Sequence, residues 1–284
     1  MSLEGSCELC VSVLVDNACV EGLASEWGLS LHLALGSRCF LLDFGQTDAF
    51  ARNAATLGID LSLVDAAILS HAHYDHADGM DAFFAANDHA PLFLSEASEE
   101  NLWSTSAGHG EPHYIGVKPN SLGRNRERLV RLPTDRISEI APDVLVVPHG
   151  LEGVPAALNP AAAGMYAMRD GRLEPDTFGH EISLVVRTRS GVNVFSSCSH
   201  VGLERIVGEV ERALPGERIV SYVGGLHLMH ATGDEVRAVA SSVHDHGIER
   251  LICGHCTGDE AVSLLCDELP GRVEVMAPGK VFTL

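Results

Sequence analysis

Three histidines and one aspartate lie within six consecutive positions, directly after a short apolar segment. His71, His73, Asp75 and His76 follow residues 65–70, which the apolar run and the polar residues after it predict to be a buried strand. Because alternate side chains of an extended chain share a face, His71 and His73 can converge on one cation. Asp75 and His76 lie beyond the turn, where they can face a second cation. Imidazole nitrogen and carboxylate oxygen suit zinc, iron and manganese, so the spacing predicts a one- or two-metal site rather than a loop that binds metal adventitiously.

Three histidines in the second half of the chain each follow a predicted strand. Ligands of open α/β sheets collect beyond the carboxyl ends of strands. We therefore expect His200 and His255 to complete the metal site, with an outer or structural role as the alternative. For His227 both roles stay open. His200 follows strand 192–196, His227 follows strand 218–223 and His255 follows strand 249–253.

Four more side chains are candidates for the surroundings of the metals. Cys198 precedes His200 by two residues and could contact the metals as a bridging or outer thiolate, the alternative being a buried reduced thiol. His149 and His180 flank predicted strands and are further possible ligands. His113 lies in an irregular segment from which it could contact a substrate.

The segment 108–136 holds a large share of the few basic residues. Arg124 and Arg126 are the candidates for contact with a substrate. If the segment covers the metal site, they could bind a phosphate or carboxylate. A solvated basic edge that offsets the acidic remainder is the alternative. The other basic residues of the segment are Lys118, Arg128, Arg131 and Arg136.

Composition narrows the classes of partner. The 284 residues carry 19 basic and 39 acidic side chains, a formal net charge of −20, which disfavours nucleic acid and anionic membrane surfaces. No run reaches the roughly eighteen apolar residues of a membrane span, and the first residues lack a signal-peptide pattern, so we expect a cytoplasmic protein. A small-molecule substrate, with an anionic one as an option, fits best. The oligomeric state stays open.

The order of elements predicts the fold class. Each half begins with hairpin strands and continues with alternating helices and strands toward a site loop, which indicates an α/β protein with a four-layer α/β/β/α sandwich. We expect one domain over 1–284 with two similar halves, about 1–140 and 141–284, and irregular segments at 108–136 and 148–180. Helices are predicted at 47–57, 79–87, 201–214, 234–246 and 258–268.

With these strand-end residues assembled, the chain resembles the metallo-β-lactamase superfamily, whose His-x-His-x-Asp-His motif is matched by His71, His73, Asp75 and His76. It is most similar to the branch of small metal-dependent hydrolases related to 7,8-dihydropterin-6-yl-methyl-4-(β-D-ribofuranosyl)aminobenzene 5′-phosphate synthase. Two departures stand out: Ser197 replaces a usual glycine, and His180 replaces the aspartate of a usual Asp-Glu pair. The segments that carry the resemblance are 27–30, 42–46, 70–80, 197–203, 224–228 and 255–258.

The resemblance implies two divalent transition-metal ions, zinc first, with iron or manganese as alternatives. His71, His73 and His200 would hold one ion, and Asp75, His76 and His255 the other. Many members bridge their ions with an aspartate near the position where this chain has Cys198, which puts the nature of the bridge in question.

Three functions follow as hypotheses. The first is a dinuclear hydrolase in which a metal-activated water attacks a small ester, lactone, amide or phosphoester, with Asp75 as the catalytic residue that orients the water or carries its proton. The second is a pterin-forming synthase that condenses a phosphorylated ribosyl aminobenzene. The third is a metal-binding sensor or effector without turnover.

Overall fold

The computed structural model describes residues 8–105, 111–149 and 162–284. The part of the basic segment at 108–110 lies outside these residues. The strands are β1 (Leu9–Val15), β2 (Ser30–Leu35), β3 (Arg38–Leu42), β4 (Ala66–Ile68), β5 (Leu92–Ser95), β6 (Leu102–Ser104), β7 (His113–Tyr114), β8 (Leu129–Leu132), β9 (Ser138–Ala141), β10 (Val144–Pro148), β11 (Met165–Arg169), β12 (Arg172–Pro175), β13 (Ile182–Arg187), β14 (Val192–Phe195), β15 (Ile219–Gly224), β16 (Arg250–Cys253), β17 (Val273–Val275) and β18 (Val281–Thr283). The helices are α1 (Ala49–Thr56), α2 (Tyr74–Ala77), α3 (Met80–Ala86), α4 (Ser121–Arg124), α5 (Leu203–Ala213), α6 (Gly233–Asp245) and α7 (Asp259–Glu268).

Two seven-stranded sheets form the centre of the molecule. The first has the order β18-β1-β2-β3-β4-β5-β8, and the second has the order β17-β16-β15-β14-β13-β10-β9. In each sheet an antiparallel part joins a parallel part, β3-β4-β5-β8 in the first and β14-β15-β16-β17 in the second. The predicted hairpin of β2 and β3 is confirmed, and it turns at Gly36 with a φ of 62°.

The packing produces four layers. One apolar cluster lies between the sheets and includes Phe40 of the first and Phe195 of the second, both buried. A second cluster packs α1 and α3 on the outer face of the first sheet, and a third packs α5, α6 and α7 on the outer face of the second. The predicted α/β/β/α sandwich is therefore confirmed. Within the described residues, no helix is long and apolar enough to cross a membrane.

Helix α5 shows how the sequence makes an outer layer. Its buried residues Leu203, Ile206, Val207 and Val210 recur at helical spacing and form one apolar stripe against the second sheet. Burial of each such side chain contributes roughly 1.5–3 kcal/mol relative to exposure. The apolar stripe thus fixes the helix on the sheet, and with it the turn between β14 and α5.

A third sheet was not predicted. It consists of strands β12, β11, β6 and β7. Strands β7, β11 and β12 lie in the segments that were expected to be irregular, and no element was predicted at β6. Strands β7, β11 and β12 are short and partly exposed, so their residues show little alternation between apolar and polar types. Ala167 and Leu102 of this sheet pack on Ala72 beside the predicted metal loop, and Ile115 joins them. The third sheet therefore forms a wall over the end of the sandwich where the metal loop lies.

Candidate metal centre

The metal-loop backbone is extended through His73 and then turns into the short helix α2. His73 has a φ of −78° and a ψ of 149°, and α2 begins at the next residue. The 115–117 segment holds the loop, because the Tyr74 N–H donates to the Ile115 carbonyl at 2.9 Å and the Val117 N–H donates to the Ala72 carbonyl at 2.9 Å. The change from strand to helix brings Asp75 and His76 back toward the strand ends, as their spacing predicted.

A buried carboxylate fixes the imidazole of His76. Asp43, which follows β3, accepts from the backbone N–H of Ser70 at 2.7 Å and from the Ser70 hydroxyl at 2.7 Å. Its Oδ2 also lies 2.8 Å from His76 Nδ1, which therefore carries the hydrogen. The lone pair of His76 is thereby placed on Nε2, the atom that faces the centre.

The same carboxylate sets the tautomer of His71 through Ser70. The single hydroxyl hydrogen of Ser70 goes to Asp43, so Ser70 Oγ accepts from His71 Nδ1 at 2.8 Å. The lone pair of His71 then lies on Nε2. This buried Nε2 has no hydrogen-bond partner among the described residues. An orphaned, inward-facing acceptor of this kind fits a metal ligand.

His200 and His255 are held in the same way from the other side. Glu181 Oε1 accepts from His200 Nδ1 at 3.0 Å and from the His200 backbone N–H at 3.0 Å. Asn17 Oδ1 lies 3.0 Å from His255 Nδ1 and accepts from it. Each of these histidines thus keeps its Nε2 lone pair for the centre. Outer oxygen partners of this type orient metal-ligating imidazoles.

One group of donors gathers around His76 and His255. Their Nε2 atoms lie 3.1 Å apart, Asp75 Oδ2 is 3.4 Å from His255 Nε2, and Cys198 Sγ is 3.1 Å from His76 Nε2. Since both imidazoles present lone pairs, this contact is repulsive unless a cation or a proton lies there. The donor set of nitrogen, oxygen and sulfur fits a divalent transition metal.

A second group lies beside the first and shares its sulfur. The ligand atoms of His71, Cys198 and His200 lie within 4.8 Å of one another, as do those of His76, Cys198 and His255. The His73 ring centroid is 4.6 Å from that of His71 and 4.9 Å from that of His200, and within the described residues its buried Nε2 has no hydrogen-bond partner. The structure therefore brings all six predicted ligands together and places Cys198 between the two groups.

The electrostatics of the groups match a cation site. Burial lowers the pKa of His71, His73 and His200, which keeps them in the neutral form that binds metals. Burial alone would also lower the pKa of His255, but the thiolate of Cys256 and the carboxylate of Asp75 outweigh it and raise the pKa to about 9. Without a metal ion, His255 is therefore protonated near neutral pH, and a bound ion would take the place of that proton on Nε2.

The charges of Asp75 and Cys198 depend on their neighbours. Burial opposes ionisation of Asp75, but His76 and His255 outweigh burial and hold its pKa well below the usual range. Burial raises the pKa of the Cys198 thiol. The thiolate that binds a metal therefore needs a cation beside it.

Two predicted candidates are held by other partners. His180 Nε2 pairs with Asp176 Oδ2 at 3.0 Å, although its ring centroid is only 5.8 Å from that of His73. His149 is buried, with Nδ1 at 2.6 Å from Glu209 Oε2 and Nε2 at 2.9 Å from Ser183 Oγ, so both of its nitrogens are used away from the centre. A ligand role for His149 does not agree with this geometry.

The two arginines also lie apart from the centre. Arg124 forms an ion pair with Asp81 at 2.9 Å, and both side chains are about half-exposed. Among the described residues, the lining of the cavity over the centre includes neither Arg124 nor Arg126. The predicted contact with an anionic substrate needs the basic segment to cover the site, whereas Arg124 is held on the outer surface by α3.

A cavity of about 340 Å³ opens onto the centre. Asp75, Cys198 and His227 line it together with three of the predicted ligand histidines, and His113 lies in the wall as predicted for a substrate contact. These three histidines are His73, His200 and His255. The rest of the wall is largely apolar and includes Trp27, Tyr74, Ile115, Met165 and Met229. No lysine or arginine of the described residues lines it.

Several residues of the centre were not predicted. Asp43 and Asn17 orient ligands from strand ends far away in sequence, and Asn17 had no motif to identify it. Cys256 Sγ lies 3.3 Å from Cys198 Sγ, and the Cys-x-x-Cys spacing with Cys253 was the available signal. Trp27 lies with its ring centroid 5.0 Å from that of His255, within the 27–30 segment.

Sequence and structure comparisons show which known proteins the chain is similar to. A family model described as metallo-beta-lactamase superfamily matches residues 32–165. A protein of Methanocaldococcus jannaschii named 7,8-dihydropterin-6-methyl-4-(beta-D-ribofuranosyl)-aminobenzene-5′-phosphate synthase is 26% identical over 237 residues, which cover 81% of this chain and 78% of that protein. The crystal structure of Tm1679, described as a metal-dependent hydrolase of the beta-lactamase superfamily, has a TM-score of 0.81 and 29% identity, covering 97% of this chain and 99% of that one. The chain has the metallo-β-lactamase fold, and its sequence is similar to that superfamily over residues 32–165.

Proposed function

We propose that the protein is a hydrolase that uses two divalent metal ions to act on a small molecule. One observation carries this proposal: Cys198 Sγ lies close to the ligand atoms of two pairs of buried histidines. One pair is His71 and His200, and the other is His76 and His255. His71, His73 and His200 would hold one ion, and Asp75, His76 and His255 the other, with Cys198 between them. The sulfur donor favours zinc, with iron and manganese as alternatives.

The chemistry divides between the ions and the chain. Bound divalent ions lower the pKa of water toward neutrality and polarise the oxygen of the bond to be cleaved. Asp75 lies in the cavity floor and its low pKa keeps it ionised, so it can accept a hydrogen bond from the attacking water and orient it. His227, with its ring centroid 4.6 Å from that of His200, is placed to contact the substrate on the other side.

The cavity indicates the type of substrate. Its volume of about 340 Å³ suits a small molecule, and its apolar wall suits an aromatic or aliphatic group. No described lysine or arginine lines the wall, so the positive charge that binds the reacting group would come from the metal ions. The proposal covers a small ester, lactone, amide or phosphoester.

The name of the M. jannaschii relative supports a synthase as the second candidate. The aromatic side chains of Trp27 and Tyr74 in the cavity wall also suit a flat ring such as a pterin. A pterin pyrophosphate offered with and without the phosphoribosyl aminobenzene co-substrate separates the candidates. A synthase releases pyrophosphate only when both substrates are present. A hydrolase that accepts the pterin pyrophosphate would cleave it without the aminobenzene compound.

His73→Ala tests whether the site is an enzyme centre. We expect the variant to lose about one metal ion per chain and its turnover of a panel of chromogenic esters and lactones to fall at least about 100-fold, because activation of water depends on both ions. Metal is measured by inductively coupled plasma mass spectrometry. His89→Ala, at an exposed histidine, is the matched control and should keep both properties.

Two results would count against this proposal. If His73→Ala keeps wild-type metal content and turnover, His73 is not a ligand. If the wild-type protein binds about two ions but turns over no member of the panel, and still binds a partner, the metal-binding sensor is the better description.

A further inference from the structure

Two cysteines of the centre are in direct contact. Cys198 Sγ and Cys256 Sγ lie 3.3 Å apart, and Cys256 Sγ also lies 3.8 Å from the Cys198 carbonyl oxygen. Both side chains are buried and both are reduced. A ligand atom of His227 lies within 4.8 Å of the two sulfur atoms. Cys198 comes from the turn after β14 and Cys256 from the turn after β16, so the contact joins residues 58 positions apart.

The backbone between these turns is shaped for the contact. Gly225, the residue directly after the intervening strand β15, donates its N–H to the Ser197 carbonyl at 2.8 Å. A Cβ at Gly225 would lie 2.5 Å from Cys256 Sγ and 2.6 Å from the Ser197 carbonyl oxygen. Any larger residue would therefore displace the Cys256 thiol or the turn that carries Cys198. The glycine leaves the space in which the two sulfur atoms meet.

Small reagents can reach this pair. Cys198 and Cys256 both line the 340 Å³ cavity, and 3% and 1% of their respective surfaces are exposed to solvent. The buried Cys253 is not part of the cavity lining, and the exposed Cys266 lies on α7. A peroxide that enters the cavity therefore meets these two thiols together.

We propose that Cys198 and Cys256 form a reversible oxidation site that closes to a disulfide. One sulfur attacks a peroxide oxygen, the O–O bond breaks, and a sulfenic acid and one water form. The other sulfur then attacks the sulfenic sulfur, the S–S bond forms, and the second water leaves. The two thiols thus give two electrons to the peroxide. A dithiol reductant reverses the reaction by exchange.

The disulfide has a consequence for metal binding, and this part rests on the proposed function. The Cys198 sulfur belongs to both groups of metal donors. A disulfide sulfur carries no thiolate charge, and the thiolate is the form of cysteine that binds metals. Oxidation would therefore remove the shared ligand and release the ions, and reduction would restore the site.

The test uses reduced, zinc-loaded protein treated with hydrogen peroxide, followed by alkylation, trypsin digestion and mass spectrometry. We expect two of the eight thiols to be lost, a mass decrease of about 2 Da, and a cross-link between the peptides 190–205 and 251–272. Fragment ions that separate Cys253, Cys256 and Cys266 within the second peptide assign the partner of Cys198. Released zinc is measured with a chromophoric chelator, and dithiothreitol should restore both the thiols and zinc binding.

Variants and a metal-free sample make the outcomes distinct. Cys256→Ser should give no cross-link, whereas Cys266→Ser should behave as wild type. The proposal is supported if the cross-link forms in both the metal-free and the zinc-loaded protein and the amount of zinc released rises in proportion to the amount of cross-link. Absence of the cross-link from both samples, or oxidation of Cys198 only to sulfinic acid, overturns it. Full cross-linking with all zinc retained leaves the oxidation site in place but contradicts Cys198 as a shared ligand.

Discussion

Replacing Cys198 with alanine is expected to reduce the bound metal from about two ions per chain to fewer than one. Cys198 Sγ is close to the ligand atoms of His71 and His200 and to those of His76 and His255, so its removal weakens both positions at once. The loss should exceed the roughly 10–100-fold fall in affinity that removal of an outer hydrogen-bond partner causes. Equilibrium dialysis against zinc followed by plasma mass spectrometry measures both the number of ions bound per chain and the zinc affinity.

Cys198→Asp is the matched variant for the bridging role. A carboxylate can also contact two ions, so this variant should keep about two ions per chain while its preference shifts from zinc toward manganese. In the cobalt-loaded protein, the sulfur-to-cobalt absorption of the wild type should be absent from both variants. If Cys198→Ala binds two ions as tightly as the wild type, the thiol is a buried core residue and the ions are held by histidine and carboxylate alone.

Replacing Asp43 with asparagine is expected to lower zinc affinity about 10–100-fold, although Asp43 is not among the predicted ligands. The carboxylate accepts three hydrogen bonds, from the Ser70 N–H, the Ser70 hydroxyl and His76 Nδ1. An amide has one acceptor oxygen and a donor NH2 group, so at least one of these partners would face another donor. The tautomers of His76 and, through Ser70, of His71 would then no longer be fixed.

Asp43→Ala should also destabilise the fold. Because Asp43 is fully buried and its partners would be left unpaired, we expect the free energy of unfolding in chelator to fall by about 3–5 kcal/mol. Urea unfolding followed by circular dichroism measures this. Asp48→Asn, at an exposed aspartate, is the control and should stay within about 0.5 kcal/mol of wild type. Wild-type zinc affinity in Asp43→Asn would show that Asp43 does not orient the ligands.

The sequence was most informative where regular patterns end in polar residues. The apolar runs before His71, His200 and His255 predicted strands, and the carboxyl ends of parallel strands meet at one edge of a sheet. The helices of the second half were found within two residues of their predicted ends, as for α5 at Leu203–Ala213, because their apolar spacing is regular. These local patterns were sufficient to predict the fold class, and they pointed to six candidate ligands that lie close together in the folded chain.

Other features depend on contacts that a local pattern does not contain. The partners Asp43 and Asn17 are separated from their histidines by 33 and 238 residues, so only the folded chain shows the pairing. The third sheet consists of short, half-exposed strands with weak alternation. The position of Arg124 is set by its ion pair with Asp81 on α3, which the clustering of basic residues in the sequence does not reveal.

The proposed function requires two metal ions, one on each side of Cys198. Anomalous X-ray diffraction at the zinc edge, from crystals of zinc-loaded protein, tests it most directly. The proposed function predicts two anomalous peaks flanking Cys198 Sγ, one beside His71 and His200 and the other beside His76 and His255. A single peak, or two peaks of which neither contacts Cys198, would contradict it.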